Sequence, residues 1–146
     1  MVLAGGDVRF VATVECVHVL RVGDRTGRTL PAHRSSGGKA LLAELGRAAL
    51  DAALGVLDEQ VAGKSRRELR SLRGRGYAVK DQATEPGLTA VGVAVGVAVP
   101  GTPGGTPPAA VSRAMPTARY GRDALPVLGS ALVAAAKPTA ADLCAT

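Results

Sequence analysis

The most regular pattern in the chain is an alternation of branched and small apolar residues between positions 88 and 99. One parity holds Val91, Val93, Val95, Val97 and Val99, and the other holds Ala90, Gly92, Ala94, Gly96 and Ala98. Because successive side chains of a strand point to opposite faces, this pattern predicts a strand over residues 88–99 with a branched face and a nearly bare face.

A second small-residue face follows a loop that we expect at residues 100–105. Ala110, Ser112 and Ala114 repeat the small parity, so two neighbouring strands would present a shallow floor of small side chains. Glycine in a strand often marks the close approach of another backbone. A helix, a second subunit or a bound ligand would each cover such a floor, and the residues alone favour a helix or a subunit.

Shorter patterns predict further strands. Turn residues at positions 5–7 and alternation over residues 8–14 indicate an N-terminal hairpin, with residues 17–22 as its next strand. Residues 77–79 are expected to form another short strand.

Helical spacing predicts four helices. One begins near residue 36 and ends at Gly46, and leucines indicate another over residues 48–57. Ser65 and Glu68 form a capping-box pattern at the start of a basic helix that ends near residue 75, with Leu69 and Leu72 on its inner face. The last helix would follow a cap at Asp123.

Leucines at 125, 128 and 132 form one stripe of that last helix, and Pro126 is tolerable in its first turn. The chain from Pro138 onward is expected to be a frayed tail.

The composition indicates one domain and excludes several classes. A chain of 146 residues with 47% hydrophobic residues can bury a single core. Cys16 and Cys144 show neither a pairing pattern nor metal spacing, which suits a reducing compartment. The longest apolar run is too short to cross a bilayer, and no signal peptide is recognisable, so we expect a cytoplasmic protein without a membrane partner.

The formal net charge of +6 raises the possibility of nucleic-acid binding. With no tryptophan, one phenylalanine and two tyrosines, however, the chain lacks a stacking platform for single strands. Six basic residues fall within positions 64–75, where a solvated helix face is the expected role.

Residues 30–42 carry the most informative motif, Leu-Pro-Ala-His-Arg-Ser-Ser-Gly-Gly-Lys-Ala-Leu-Leu. Ser35 and Ser36 are good N-cap residues for the helix that follows. Gly37 and Gly38 lower helix propensity in the first turn, so their expected use is to let a small anion approach the backbone at the positive end of the helix dipole.

This segment resembles the start of the effector-binding domain of the IclR (isocitrate-lyase-regulator) family of bacterial transcription factors. The family pattern is close to Leu-Pro-x-His-x-Thr/Ser-x-x-Gly-Lys-Ala-x-Leu-Ala, and its matches here are Leu30, Pro31, His33, Ser35, Gly38, Lys39, Ala40, Leu42 and Ala43. Two later blocks also agree in order and spacing: Arg75-Gly-Tyr-Ala-Val with Asp81, Glu85, Pro86 and Gly87, and the run from Ala109 to Arg119.

The resemblance implies an α+β fold, with a curved, mostly antiparallel sheet of about five or six strands and packed helices, similar to GAF and PAS sensors and profilin-like. It covers residues 1–146 as one effector-binding domain, with an N-terminal edge that starts late and a tail at 138–146. In the family, the effector lies between the motif helix and one face of the sheet. The matching positions here are Ser36, Gly37, Gly38, Lys80, Ala90, Ser112 and Ala114.

Three of these positions depart from the family pattern. Lys80 replaces a position that is commonly acidic, and Ala90 and Ala114 replace positions that often carry a polar atom. A lysine, helix-start amides and one hydroxyl suit a carboxylate, and the lost polar atoms suit an apolar ligand body. A solvent-facing Lys80 paired with Asp81 or Glu85 is equally compatible with the sequence.

The predicted function is therefore to sense a small organic acid and to pass occupancy, through the packing of a dimer or tetramer, to a DNA-binding domain absent from this chain. The family's winged helix-turn-helix precedes this domain, and residues 1–7 leave no room for it, so this chain alone should not read a DNA sequence. The alternative is an oligomerisation or interaction module with no small-molecule ligand. We expect no cofactor, metal or catalytic residue.

An enzyme of the phosphate-loop class is a poor match. His33 occupies the position of the first glycine of that motif. Ala40 occupies the position of the serine or threonine whose hydroxyl binds magnesium. His18 and His33 have no neighbouring carboxylate or cysteine spaced for zinc or for a nucleophilic pair. Structural roles are expected for both.

Overall fold

Six strands and four α-helices make up the described part of the chain, which is residues 1–82, 85–96 and 109–144 of a computed structural model, with side chains to residue 139. The strands are β1 Val2–Ala4, β2 Asp7–Arg9, β3 Thr29–Pro31, β4 Ala78–Asp81, β5 Leu88–Val95 and β6 Ala109–Pro116. The helices are α1 Ser36–Glu44, α2 Arg47–Leu54, α3 Glu59–Arg75 and α4 Ala124–Cys144.

The strands form two antiparallel sheets, in the orders β1-β2-β3 and β4-β5-β6. Met1 joins them, because its amino group donates to the Ala110 carbonyl at 2.8 Å and its own carbonyl accepts from the Ala110 N–H at 2.8 Å. The β1 end of one sheet thus meets the β6 edge of the other. The expected α+β class with a mostly antiparallel sheet is confirmed.

The floor of small residues is present, and its register is the one that the alternation predicts. Three cross-strand pairs between β5 and β6 build it: Ala90 with Ala114, Gly92 with Ser112, and Ala94 with Ala110. The start of α1 lies on this floor, since a Cβ at Gly92 would be 2.5 Å from the carbonyl carbon of Ser36. A helix therefore covers the middle of the floor, while the valines of the opposite face are also buried.

The N-terminal hairpin is shorter than expected. Its turn and first pairing are confirmed by β1 and β2, but β2 ends at Arg9, and residues 17–22 are not a strand. Within the described residues no neighbouring strand pairs with this stretch, and the side chains of Val14, Val17 and Val19 are 97–99% exposed. Alternation alone cannot make a strand without a partner for its backbone.

The basic helix α3 begins six residues before the predicted capping box. Asp58 is its N-cap, and the Asp58 carboxylate accepts from the Val61 N–H at 3.0 Å. Ser65 is consequently an interior helix residue, and it is buried. The prediction of a cap at Ser65 was wrong, whereas Leu69 and Leu72 are buried as expected and most of the basic side chains face solvent.

The other predicted ends differ in smaller ways. Helix α2 stops at Leu54 rather than at residue 57, and β4 is Ala78–Asp81 rather than residues 77–79. The expected tail from Pro138 is instead the last part of α4, which continues to Cys144. Pro138 has no backbone N–H, so one hydrogen bond of the helix is missing at this position. Nearby, the hydroxyl of Thr139 donates to the Ala135 carbonyl at 3.1 Å.

Two predictions lie outside the described residues: the continuation of β5 over 97–99 and the loop at 100–105. In the described part of the chain, no helix is both long enough and apolar enough to span a bilayer.

Candidate functional site

The start of α1 is fixed by Ser35. Its hydroxyl accepts from the Gly38 N–H at 3.4 Å, and its carbonyl accepts from the Lys39 N–H at 2.8 Å. Gly38 packs against the preceding turn, because a Cβ there would overlap the backbone of Ala32. Gly38 therefore serves a tight local turn, and its amide is already bonded within the chain.

Ser36 and Gly37 form the part of α1 that meets the sheet. A Cβ at Gly92 would lie 2.6 Å from the Gly37 nitrogen, and a Cβ at Gly37 would lie 2.5 Å from the Met1 Cε. Within residues 1–82, 85–96 and 109–144, the N–H groups of Ser36 and Gly37 have no hydrogen-bond acceptor. Two unpaired donors therefore mark the positive end of the helix, beside the flexible Met1 side chain.

Lys80 lies in the next cross-strand row of the same face. It pairs with Ala90 on β5, which pairs in turn with Ala114 on β6. The row is thus one lysine followed by two alanines, and the small neighbours leave room for the lysine stem. Lys80 is 4% exposed, so the alternative in which it faces solvent and pairs with Asp81 or Glu85 is wrong.

The Lys80 ammonium has no ion-pair or hydrogen-bond partner among the described residues. Asp81 pairs with Arg122 at 2.7 Å, and Glu85 pairs with Arg25 at 2.7 Å, so neither carboxylate that the sequence offered is taken by Lys80. No completely buried side-chain nitrogen or oxygen in this part of the chain lacks a partner. The Lys80 nitrogen therefore keeps a narrow contact with solvent.

Charges around Lys80 are mostly positive. Burial is the main cause that lowers the pKa of Lys80; Glu85 opposes the shift, and Arg25, Arg34 and Lys39 add to it. The pKa of His33 is lowered in the same way, by burial first and then by Arg34 and Lys39. Asp7 and Glu68 oppose the shift at His33, and the ion pairs of Arg25 with Glu85 and of Lys39 with Glu68 offset part of the positive charge near the start of α1.

Two ion pairs connect this region to other elements. Arg25 donates to both oxygens of Glu85 at 2.7 Å, and Lys39 pairs with Glu68 of α3 at 2.7 Å. The hydrogen bond from Arg25 is the main cause that lowers the pKa of Glu85. Sequence reasoning missed Arg25 because it lies in an irregular segment sixty positions before its partner.

Six of the seven predicted residues share one region. Ser36 and Gly37 lie over Gly92 and hence beside Ser112, while Lys80, Ala90 and Ala114 form the adjacent row. Ser112 and Ala114 are only partly buried, so the β6 side of the region is open. Gly38 is the exception, since it faces the Ala32 turn.

An open cavity of about 430 Å³ lies elsewhere, at the far end of α1. Arg73 closes one side by donating to the carbonyl oxygens of Ala43 and Leu45. It adjoins none of the predicted site residues. In the described residues, no group of three or more histidine, cysteine, aspartate or glutamate side chains has the arrangement of a metal site.

Comparison with known proteins agrees with the geometry. The family model described as bacterial transcriptional regulator IclR C-terminal matches residues 1–141. A Rhodococcus sp. RHA1 protein proposed to be a transcriptional regulator is 32% identical, with a TM-score of 0.78 over 97% of this chain and 58% of that chain. None of the curated proteins matches the chain.

Two more distant structures share the fold. The Thermotoga maritima IclR is 22% identical, with a TM-score of 0.82 over 97% of this chain and 59% of its own. The C-terminal domain of the E. coli transcriptional regulator KdgR is 20% identical, with a TM-score of 0.71 over 96% of this chain and 82% of its own. The chain thus spans less than two thirds of the Rhodococcus and Thermotoga chains.

Proposed function

Because the chain belongs to the IclR family of bacterial transcriptional regulators and corresponds to the family's C-terminal regulatory domain, we propose that it senses a small organic acid. The acid binds between the start of α1 and the floor of small residues on β5 and β6. Ser36, Gly37, Lys80, Ala90, Ser112 and Ala114 surround it. Gly38 contributes by shaping the turn rather than by contacting the ligand.

The observation that carries this proposal is Lys80, which is 4% exposed and has no partner among the residues that the structure describes. Lysine is almost never this buried unless its ammonium is paired. Its neighbours in the cross-strand row are alanines, which offer no acceptor, so the partner that Lys80 would take is an anion. A carboxylate would satisfy Lys80 and the unpaired N–H groups of Ser36 and Gly37.

The rest of the site favours an apolar ligand body. Ala90 and Ala114 contribute only methyl groups, and Ser112 is the one hydroxyl on this part of the floor. An aromatic or branched-chain acid therefore fits this chemistry better than a short hydroxy acid. Displacement of the flexible Met1 side chain from Gly37 would add space.

A thermal-shift screen of organic acids tests the proposal. A ligand at one hundred times its dissociation constant adds about 2.7 kcal/mol to stability, so its binding is readily measured. The Ser112→Leu variant should lose the response, because the larger side chain fills the floor. Val111→Leu is the matched control, since Val111 neighbours Ser112 on the opposite face of β6 and is 45% exposed. A response that survives in Ser112→Leu would contradict the site.

The second candidate is an interaction module without a ligand. The contact of α1 with Gly92 favours it, because the helix already fills the middle of the floor. A chain that self-associates but whose melting temperature responds to no acid would favour this reading.

The proposal also covers how ligand binding to this domain acts on the whole regulator. We infer that occupancy alters the packing of a dimer or tetramer in the cytoplasm, and that DNA is contacted only through a domain outside this chain. The sensor acts by binding rather than by catalysis. A titration in which this chain alone distinguishes operator DNA from a scrambled sequence would contradict the assignment of DNA binding to another domain.

A further inference from the structure

The open cavity of about 430 Å³ lies where two helices end. Helix α1 stops at Glu44 and α3 stops at Arg75, and residues from the last turns of both helices line the space. Leu45 and Leu72 contribute its apolar part, while Gly46 leaves room at its edge, since a Cβ there would meet nothing within 4 Å. A cavity of this volume is large enough for a small molecule.

Two residues of opposite charge line this cavity without pairing. The Arg73 Nε donates to the Ala43 carbonyl at 2.7 Å and its Nη2 donates to the Leu45 carbonyl at 3.3 Å, so the guanidinium lies against the carbonyls on both sides of Glu44. No ion pair joins Glu44 to Arg73. Among the described residues, neither the Glu44 carboxylate nor the Arg73 Nη1 has another partner. Both groups can therefore bind a ligand.

The chemistry of the two groups defines the ligand. A carboxylate at the carbonyl end of a helix favours a cation, because the last carbonyls of the helix carry partial negative charge. A guanidinium with an unused N–H group favours a carboxylate. Since Arg73 contacts the carbonyls that flank Glu44, the two charged residues are close neighbours. A small ligand that carries both an ammonium and a carboxylate would bridge them.

We propose that this cavity binds a free α-amino acid with an apolar side chain. Its ammonium pairs with Glu44, its carboxylate pairs with Arg73, and its side chain lies against Leu45 and Leu72. The inference goes beyond the proposed function, because this cavity lies at the other end of α1 from the organic-acid site, about 12 Å along the helix axis. The ligand class also differs, since the cavity takes a zwitterion rather than an anion.

Leucine and two singly charged derivatives test the proposal by isothermal titration calorimetry. N-acetyl-leucine has no ammonium, and leucinamide has no carboxylate, so each should bind at least about tenfold more weakly than leucine. A derivative that binds as tightly as leucine would overturn the proposal. It would also fail if leucine, valine and phenylalanine all left the chain unbound.

A pair of matched variants locates the ammonium. Glu44→Gln should weaken leucine binding at least about tenfold, because it removes the negative charge. Glu59→Gln is the control, since Glu59 is exposed at the opposite end of α3 and should leave the affinity unchanged. Glu44 is itself exposed, so its variant is expected to fold. Equal affinities of the parent and Glu44→Gln would contradict the site.

The Ser112→Leu variant separates this cavity from the organic-acid site. Leucine should bind that variant as tightly as it binds the parent. If Ser112→Leu removes leucine binding and Glu44→Gln does not, the amino acid occupies the organic-acid site and the inference is wrong. If no organic acid stabilises the chain but leucine binding depends on Glu44, the proposed function fails and the amino-acid site stands.

Discussion

Gly92 shows how one missing side chain sets the geometry of the site. The carbonyl carbon of Ser36 and the nitrogen of Gly37 approach this residue so closely that no other residue fits without movement. The glycine allows the positive end of α1 to rest on the sheet. Its conformation is ordinary, so the constraint is space rather than backbone dihedral angle.

We therefore expect Gly92→Ala to destabilise the fold by about 1–3 kcal/mol, because the added methyl group overlaps the α1 backbone. Gly74→Ala is the control, since Gly74 is exposed in α3 and a Cβ there meets nothing within 4 Å. That change should be neutral or stabilise by up to about 1 kcal/mol. Urea unfolding measures both, and equal effects would contradict the packing argument.

The free energy of unfolding is expected to depend on pH through Glu85. Arg25 lowers the pKa of Glu85 below its ordinary value of 4.5, so the pair contributes its full stability above that value. As pH falls, the unfolded chain takes up the proton first, and the contribution disappears once pH passes below the lowered pKa of the folded state. The carboxylate is partly exposed, so the contribution is screened.

Glu85→Gln should accordingly flatten the loss of unfolding free energy at pH values below 4.5. The measurement is denaturant unfolding across an acid pH series for the parent and the variant. Superimposable pH profiles would show that the Arg25 pair carries no stability.

At the scale of elements, α3 illustrates competition between two helix starts. Asp58 and Ser65 both have the chemistry of an N-cap, but only one can act in a continuous helix. The structure uses Asp58, and the turns that this earlier start adds to the helix include the buried Ala62. Tertiary packing thus favoured the earlier start.

Asp58→Ala should cost about 0.5–2 kcal/mol, because it removes the acceptor for the Val61 N–H. Ser65→Ala should be close to neutral, since alanine is the better interior helix residue. Thermal unfolding followed by circular dichroism compares them. The reverse order of effects would indicate that α3 starts at Ser65 in solution.

At the scale of the whole molecule, the segment between β2 and β3 stands out. At the base of this arm, residues 10–28, the Phe10 N–H donates to the Arg28 carbonyl at 2.9 Å, and the Phe10 carbonyl accepts from the Gly27 N–H at 2.8 Å. The arm exposes Val14, Val17 and Val19 almost completely. Exposed apolar clusters of this kind mark interaction surfaces. Arg25 links the same arm to Glu85 beside the candidate site.

We predict that the chain forms dimers or tetramers and that the arm takes part in the contact. Val17→Glu should weaken self-association at least about tenfold, which corresponds to about 1.4 kcal/mol, because a charge enters an apolar contact. Val56→Glu is the control, since Val56 is 82% exposed between α2 and α3. Light scattering over a concentration series gives both constants. A monomeric parent would refute the association, and equal weakening would refute the role of the arm.

The sequence by itself determined the features that depend on neighbouring residues. Alternation of valine with alanine and glycine specified β5 and its bare face, and Ser35 specified the start of α1, because strand parity and helix caps are set within a few residues. The family motifs then located Lys80, Ala90 and Ser112 as members of one region. These signals lie within a few residues of the features that they specify.

Only the tertiary structure decided which of these features are covered and paired. The burial of Lys80, the Arg25–Glu85 pair and the contact of α1 with Gly92 each join residues far apart in sequence, and local patterns carry no information on such distances. The same reason explains the failed strand over residues 17–22, because no strand in the described chain pairs with it. A strand needs a neighbour, and a lysine is buried only when other elements close over it.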